Sequence, residues 1–157
     1  MEDLNKTKNT QELGPVTLVE GTEADFETFF ALEQRLAKPT YRAETKPEQI
    51  YGENKSFFMV KAGKKIVGQI QYERKENNII YLNVLAIDPD FQGRGLGREA
   101  MNQFLSKFSS ASKIWLVTFP GNIEAVNLYE SLGFKITETI ENYFGNGTPR
   151  VKMVLEH

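Results

Sequence analysis

Cysteine is absent from the 157 residues, and the only histidine is His157 at the very end. The first absence excludes disulfides, thiolate nucleophiles and cysteine-ligated metals, and it permits an intracellular home. Leu155-Glu156-His157 resembles the start of an expression tag, so His157 is left out of the chemistry. Histidine bases and histidine-ligated zinc fall away with it. No apolar run approaches the roughly 20 residues a membrane-spanning helix needs. The first ten residues are polar, unlike a signal peptide, so a soluble cytoplasmic protein without a membrane partner is expected. An excess of positive charge is missing too: 19 Lys and Arg face 21 Asp and Glu, for a net charge of −2. Nucleic-acid binding, which depends on neutralising phosphates, is therefore not favoured.

What is present is an ordinary globular balance, 40% hydrophobic and 25% charged, in a length suited to one compact domain. Residues 1–14 are rich in Asn, Lys, Thr and Glu and are expected to be a flexible segment; residues 15–157 form the single domain. A strand is expected over 16–20. Thr22 with Asp25 resembles a capping box opening a helix that carries Phe26, Phe29, Phe30 and Leu36 on one face. A short helix after Pro47 precedes strands over 56–60 and 65–73, joined by a turn at Gly63. After Asn77-Asn78, residues 79–87 are almost continuously apolar, as in a central strand buried on both faces. Residues 92–108 read as a glycine loop feeding a helix, and 114–119 as a strand. Asn122 is placed to cap a further helix that Gly133 ends. Residues 134–144 alternate as a strand that Gly145-Asn146-Gly147 turns back into 151–154.

Gln92-Gly93-Arg94-Gly95-Leu96-Gly97 sits where a buried strand ends and a helix begins. Unpaired N–H groups and the helix dipole point to one place there, which favours an anion. Glycines let a phosphate approach the backbone, and Arg94 and Arg98 can add charge, so a pyrophosphate is the natural occupant. The dinucleotide fingerprint fails because Arg98 stands where it needs a last glycine, and the P-loop ending Gly-Lys-Ser/Thr is absent. The plainer alternative is a tight strand-to-helix turn and nothing more.

The stretch from Leu85 through Asp88-Pro89-Asp90-Phe91 to Gln92-Gly93-Arg94-Gly95-Leu96-Gly97 resembles the acetyl-CoA motif of Gcn5-related N-acetyltransferases (GNATs). About thirty residues on, Asn122-Ile123-Glu124-Ala125-Val126-Asn127-Leu128-Tyr129, ending in Gly133-Phe134, resembles that family's second recurrent segment. The resemblance covers about residues 16–154. It implies an α/β fold: a mixed, mostly antiparallel sheet with a splayed parallel strand pair, flanked by helices. It also implies acetyl-CoA as co-substrate, with the main chain of Leu85, Ala86 and Ile87 along the pantetheine. Gln92, Gly93, Arg94, Gly95, Leu96, Gly97 and Arg98 would lie around the pyrophosphate, and Asn122 near the pantetheine.

Without cysteine or a usable histidine, direct attack of an amine on the thioester is the simplest chemistry. The resemblance places Tyr129 as the acid that donates to the departing sulfur, although it also fits as a core tyrosine, and Asn122 as only a cap. Relatives that acetylate the N-terminus of a ribosomal protein carry a glutamate where this chain has Val117, which counts against that base and that substrate. Glu73, acting through water, is the candidate base, with a solvated surface glutamate as its alternative reading. Glu33, Tyr81 and Tyr143 are candidate acceptor-binding residues. The acceptor is expected to be a small-molecule amine, with a peptide or protein amine as the alternative. A non-catalytic acyl-CoA-binding module is the competing class. A homodimer formed through strand edges is compatible with the chain, but no residue pattern specifies it.

Overall fold

The computed structural model describes residues 13–157. The segment expected to be flexible therefore lies, up to residue 12, outside the described residues.

Strands β1 (Val16–Glu20), β2 (Lys55–Ala62), β3 (Lys65–Lys75), β4 (Ile79–Ile87), β5 (Lys113–Thr118), β6 (Lys135–Ile140) and β7 (Arg150–Glu156) make one seven-stranded sheet. Its order is β1-β2-β3-β4-β5-β7-β6, and every neighbouring pair is antiparallel except β4 with β5. Four helices accompany it among the described residues: α1 (Phe26–Leu36), α2 (Pro47–Ile50), α3 (Leu96–Lys107) and α4 (Ile123–Ser131). This is the mixed, mostly antiparallel α/β architecture expected. No helix among the described residues is long and apolar enough to cross a membrane.

Local chemistry accounts for the boundaries. The Thr22 N–H donates to the Asp25 carboxylate at 2.9 Å, and a 3₁₀ turn leads into α1. The β2–β3 turn uses Gly63 at φ +63°, a left-handed conformation that costs glycine nothing. The strand expected over 134–144 is shorter than its alternation implied. Pairing stops at Ile140 opposite Arg150, because Asn142 turns to φ +51° and its Oδ1 accepts the Gly147 N–H at 2.6 Å. Tyr143 and Phe144 thus sit on a broad loop, not on a strand.

Two cores lie against the sheet. One joins Ile80, Leu82, Phe58 and Tyr72 to Ala100, Met101 and Phe104 of α3 and to Tyr129 of α4. The other joins Val84, Ala86, Phe57 and Met59 to Phe29 and Leu32 of α1 and Ile50 of α2. The β4 side chains change cores partway along the strand. Tyr72 pairs with Leu82 and Gln71 with Val84, so Asn83 is an extra, bulged residue that reverses which parity faces which core. Hence Ile80 and Leu82 face the α3 side, as do Leu85 and Ile87, while Val84 and Ala86 face α1. The continuous apolar run follows from both cores drawing on one strand.

Candidate active site

Strands β4 and β5 are parallel but pair only from Ile79 with Lys113 to Tyr81 with Trp115. At that last step the two rings stack, with centroids 4.2 Å apart. Beyond it β5 stays paired with β7 as far as Val151, whereas the β5-facing edge of β4 has no strand partner from Leu82 onward. With no strand beside it, the edge of β4 along Leu85 to Ile87 is suited to an extended, amide-containing ligand, although the Ile87 carbonyl already accepts from Gln92.

The glycine loop closes one end of this opening. Asp88 caps a short turn by accepting the Asp90 N–H at 2.9 Å, and Gln92 Nε2 donates to the Ile87 carbonyl at 2.9 Å. Gly93 and Gly95 then take φ of +79° and +77° just before the twelve residues of α3. A Cβ at either glycine would meet nothing within 4 Å, so the conformation requires glycine and the space over the loop is open. The two arginines part company. Arg94 packs beside the Phe91 ring at 5.7 Å, and its buried Nη1 has no partner among the described residues, leaving a donor that an anion could use. Arg98 instead donates to Ser131 Oγ at 2.9 Å and ties α3 to α4. The loop, the open strand edge and the orphaned Arg94 donor fit the pyrophosphate and pantetheine of coenzyme A.

The second motif supplies a helix cap and a buried ring beside the opening. Asn122 Oδ1 accepts the Ala125 N–H at 3.3 Å as the cap of α4, and the residue also borders the opening beside Leu85. The Tyr129 ring packs edge-on against Phe134 at 5.7 Å and is 7% exposed. Its hydroxyl hydrogen-bonds to no described residue and faces the cleft between Leu85 and Asn122. Burial pushes its pKa well above that of an ordinary tyrosine, so the group stays protonated and can donate.

On the far side, a chamber is walled by Tyr41, Arg42 and Glu44, Tyr81 to Leu85, Leu116 to Phe119, Phe144 and Arg150. Tyr81 lies in this wall, its hydroxyl donating to Asn83 Oδ1 at 3.2 Å. Glu33, Glu73 and Tyr143 lie outside this wall. Glu33 is 0% exposed and cannot meet a ligand. It accepts from the Tyr41 hydroxyl at 2.6 Å, the Glu44 N–H at 2.9 Å and Gln69 Nε2 at 3.4 Å, and burial raises its pKa despite these bonds. Glu73 lies outside the chamber wall and is ion-paired with Lys75 at 2.8 Å and Lys55 at 3.6 Å. Tyr143 packs edge-on to Phe144 at 4.7 Å, and Phe144 is the ring that reaches the wall.

The carboxylate in the chamber is Glu44. It is 6% exposed, accepts from Asn83 Nδ2 at 2.9 Å, and burial raises its pKa above the ordinary glutamate value. Its segment has neither strand nor helix periodicity, and contacts to Glu33 and Asn83, 11 and 39 residues away, hold it in place.

A family model described as "Acetyltransferase (GNAT) family" matches residues 22–134. The [Ribosomal protein bS18]-alanine N-acetyltransferase of Salmonella typhimurium is 39% identical over 62 residues, 38% of this chain and 42% of that protein. The spermine/spermidine N(1)-acetyltransferase of Bacillus subtilis is 32% identical over 72 residues, 44% of this chain and 47% of that one. The chain thus spans less than half the length of these two relatives. The crystal structure of the ribosomal-protein-S18-alanine N-acetyltransferase from Escherichia coli superposes with a TM-score of 0.78 at 25% identity, covering 90% of this chain and 93% of that one.

Proposed function

The chain belongs to the GNAT acetyltransferase family, and from that premise we propose that it transfers acetyl from acetyl-CoA to an amine by direct attack. The observation that carries this reading is the meeting of three features at Leu85 and Asn122: the unpaired edge of β4, the Gly93–Gly95 loop and the Tyr129 hydroxyl.

In this reading, the loop N–H groups and Arg94 hold the pyrophosphate and the main chain of Leu85 to Ile87 holds the pantetheine. Acetyl-CoA supplies the activated acyl group. The amine nitrogen bonds to the acetyl carbon as the carbon–sulfur bond breaks. One ammonium proton leaves through Glu44 to solvent, and a second ends on the coenzyme A thiol by way of Tyr129. Glu44 replaces Glu73 as the base because it borders the chamber and no lysine pairs with it among the described residues.

Titration calorimetry with acetyl-CoA and with ATP, followed by thiol release in the presence of amines, tests the reading. Micromolar acetyl-CoA binding, much weaker ATP binding and Tyr129-dependent thiol release are expected. Binding without any transfer would instead identify a coenzyme-binding module, and no acetyl-CoA binding would refute the function.

A further inference from the structure

Arg150 opens β7 in the chamber wall and is only 3% exposed. Its guanidinium lies between two rings, 5.9 Å from the Phe119 centroid and 5.1 Å from that of Phe144. Only Nη1 is bonded, to Thr148 Oγ1 at 2.8 Å and to the Pro149 carbonyl at 2.9 Å. Arginine has five N–H donors in a planar fork. Among the described residues, nothing accepts from Nε or Nη2, and no carboxylate pairs with this side chain.

A buried cation without an anion is costly, and burial lowers the pKa of Arg150. An anionic group entering the chamber would remove that cost and could be held by the unspent Nε–Nη2 edge of the fork. Glu44, backed by Asn83, supplies the opposite charge in the same chamber. Arg42, stacked on Phe144 at 4.9 Å, adds a second positive charge to this wall and disfavours a polycation such as a polyamine.

We infer that the acceptor is a primary amine that also bears a carboxylate, with its ammonium directed to Glu44 and its carboxylate to Arg150. This rests on the acetyltransferase reading and narrows its substrate class. The same chemistry is offered by a free amino acid and by a peptide that begins with Asp or Glu.

The test compares kcat/KM for free α-amino acids, their carboxamides, short peptides beginning with Asp, Glu or their amides, and spermidine. Acetyl-CoA affinity is measured alongside for wild type, Arg150→Gln and Arg150→Lys. Wild type should prefer the carboxylate form over the matched amide by roughly 10- to 100-fold, as expected for a charge-assisted hydrogen bond. The preference should appear mainly in KM, vanish in Arg150→Gln and survive in part in Arg150→Lys, with acetyl-CoA affinity retained. Whichever series is faster, free or peptide, names the source. If Arg150→Gln does not fold, the wild-type ratio of acid to amide decides. Equal or better use of amides or spermidine by wild type, or an equal loss for acids and amides in Arg150→Gln, overturns the inference while acetyl-CoA binding stands. Failure of wild type to bind acetyl-CoA removes both readings.

Discussion

The Glu44 N–H donates to Glu33 Oε1 at 2.9 Å, so a fully buried acid on α1 holds the acid of the chamber in place. The Tyr41 hydroxyl binds the other Glu33 oxygen at 2.6 Å, and the segment between them is fixed at both ends.

Glu33→Ala would strand the Tyr41 hydroxyl and the Glu44 N–H, while Gln69 Nε2 would keep its bond to the Phe29 carbonyl at 3.0 Å. A loss of roughly 3 kcal/mol of stability is expected, given about 1–3 kcal/mol for each unsatisfied buried group and some relief from removing a desolvated charge. Thermal and urea unfolding would measure it; an unchanged midpoint would show that the segment does not depend on Glu33.

Glu44 sets a pH dependence whose sign follows from burial. Its folded pKa is raised, so the native state holds protons that the unfolded chain has released, and this group's contribution to stability falls as pH rises from the ordinary glutamate value to the raised one. Activity runs the other way, since the base must be ionised. The acidic limb of kcat/KM should therefore inflect above 4.5, and Glu44→Gln should cut turnover and abolish that limb. A limb unchanged in Glu44→Gln would assign the base elsewhere.

Tyr129→Phe keeps the ring against Phe134 and removes a hydroxyl that bonds to no described residue. Stability should hold, acetyl-CoA affinity should stay within a few-fold, and kcat should drop by roughly 10²-fold or more. Single-turnover kinetics check this, and an acyl-transfer rate close to wild type would remove the acid role.

Gly95 and Gly97 should separate cleanly. At φ +77° an alanine at 95 is strained by about 1–2 kcal/mol, so Gly95→Ala should lower both the melting temperature and acetyl-CoA affinity. A Cβ at 97 meets Ile87 Cγ1 at 3.7 Å, an ordinary contact, so Gly97→Ala should leave the melting temperature unchanged. Equal effects from the two would show that conformation at 95 is not what the loop requires.

By itself the sequence determined the order of elements, the glycine loop, the cap at Asn122 and the family, because each rests on neighbouring residues: helical spacing, a turn glycine, a run of fixed length. It also placed Tyr81, Asn122 and Tyr129 on segments that border the opening. Only tertiary structure decided the acceptor side. Glu33, Glu44 and Glu73 are equally acidic in the chain, yet one is sealed on the buried face of α1, one borders the chamber and one is ion-paired with two lysines. The same holds for Arg94, with its orphaned Nη1, and Arg98, spent on Ser131. The bulge at Asn83 reverses the β4 faces, and nothing in an apolar run announces it, since it exists only in pairing with β3. Arg150 stands just ahead of the strand expected over 151–154, and its burial shows only where Phe119 and Phe144 lie beside it. Burial and the partners of a charge depend on residues distant in the chain, and those contacts, not local pattern, set the chemistry of this chamber.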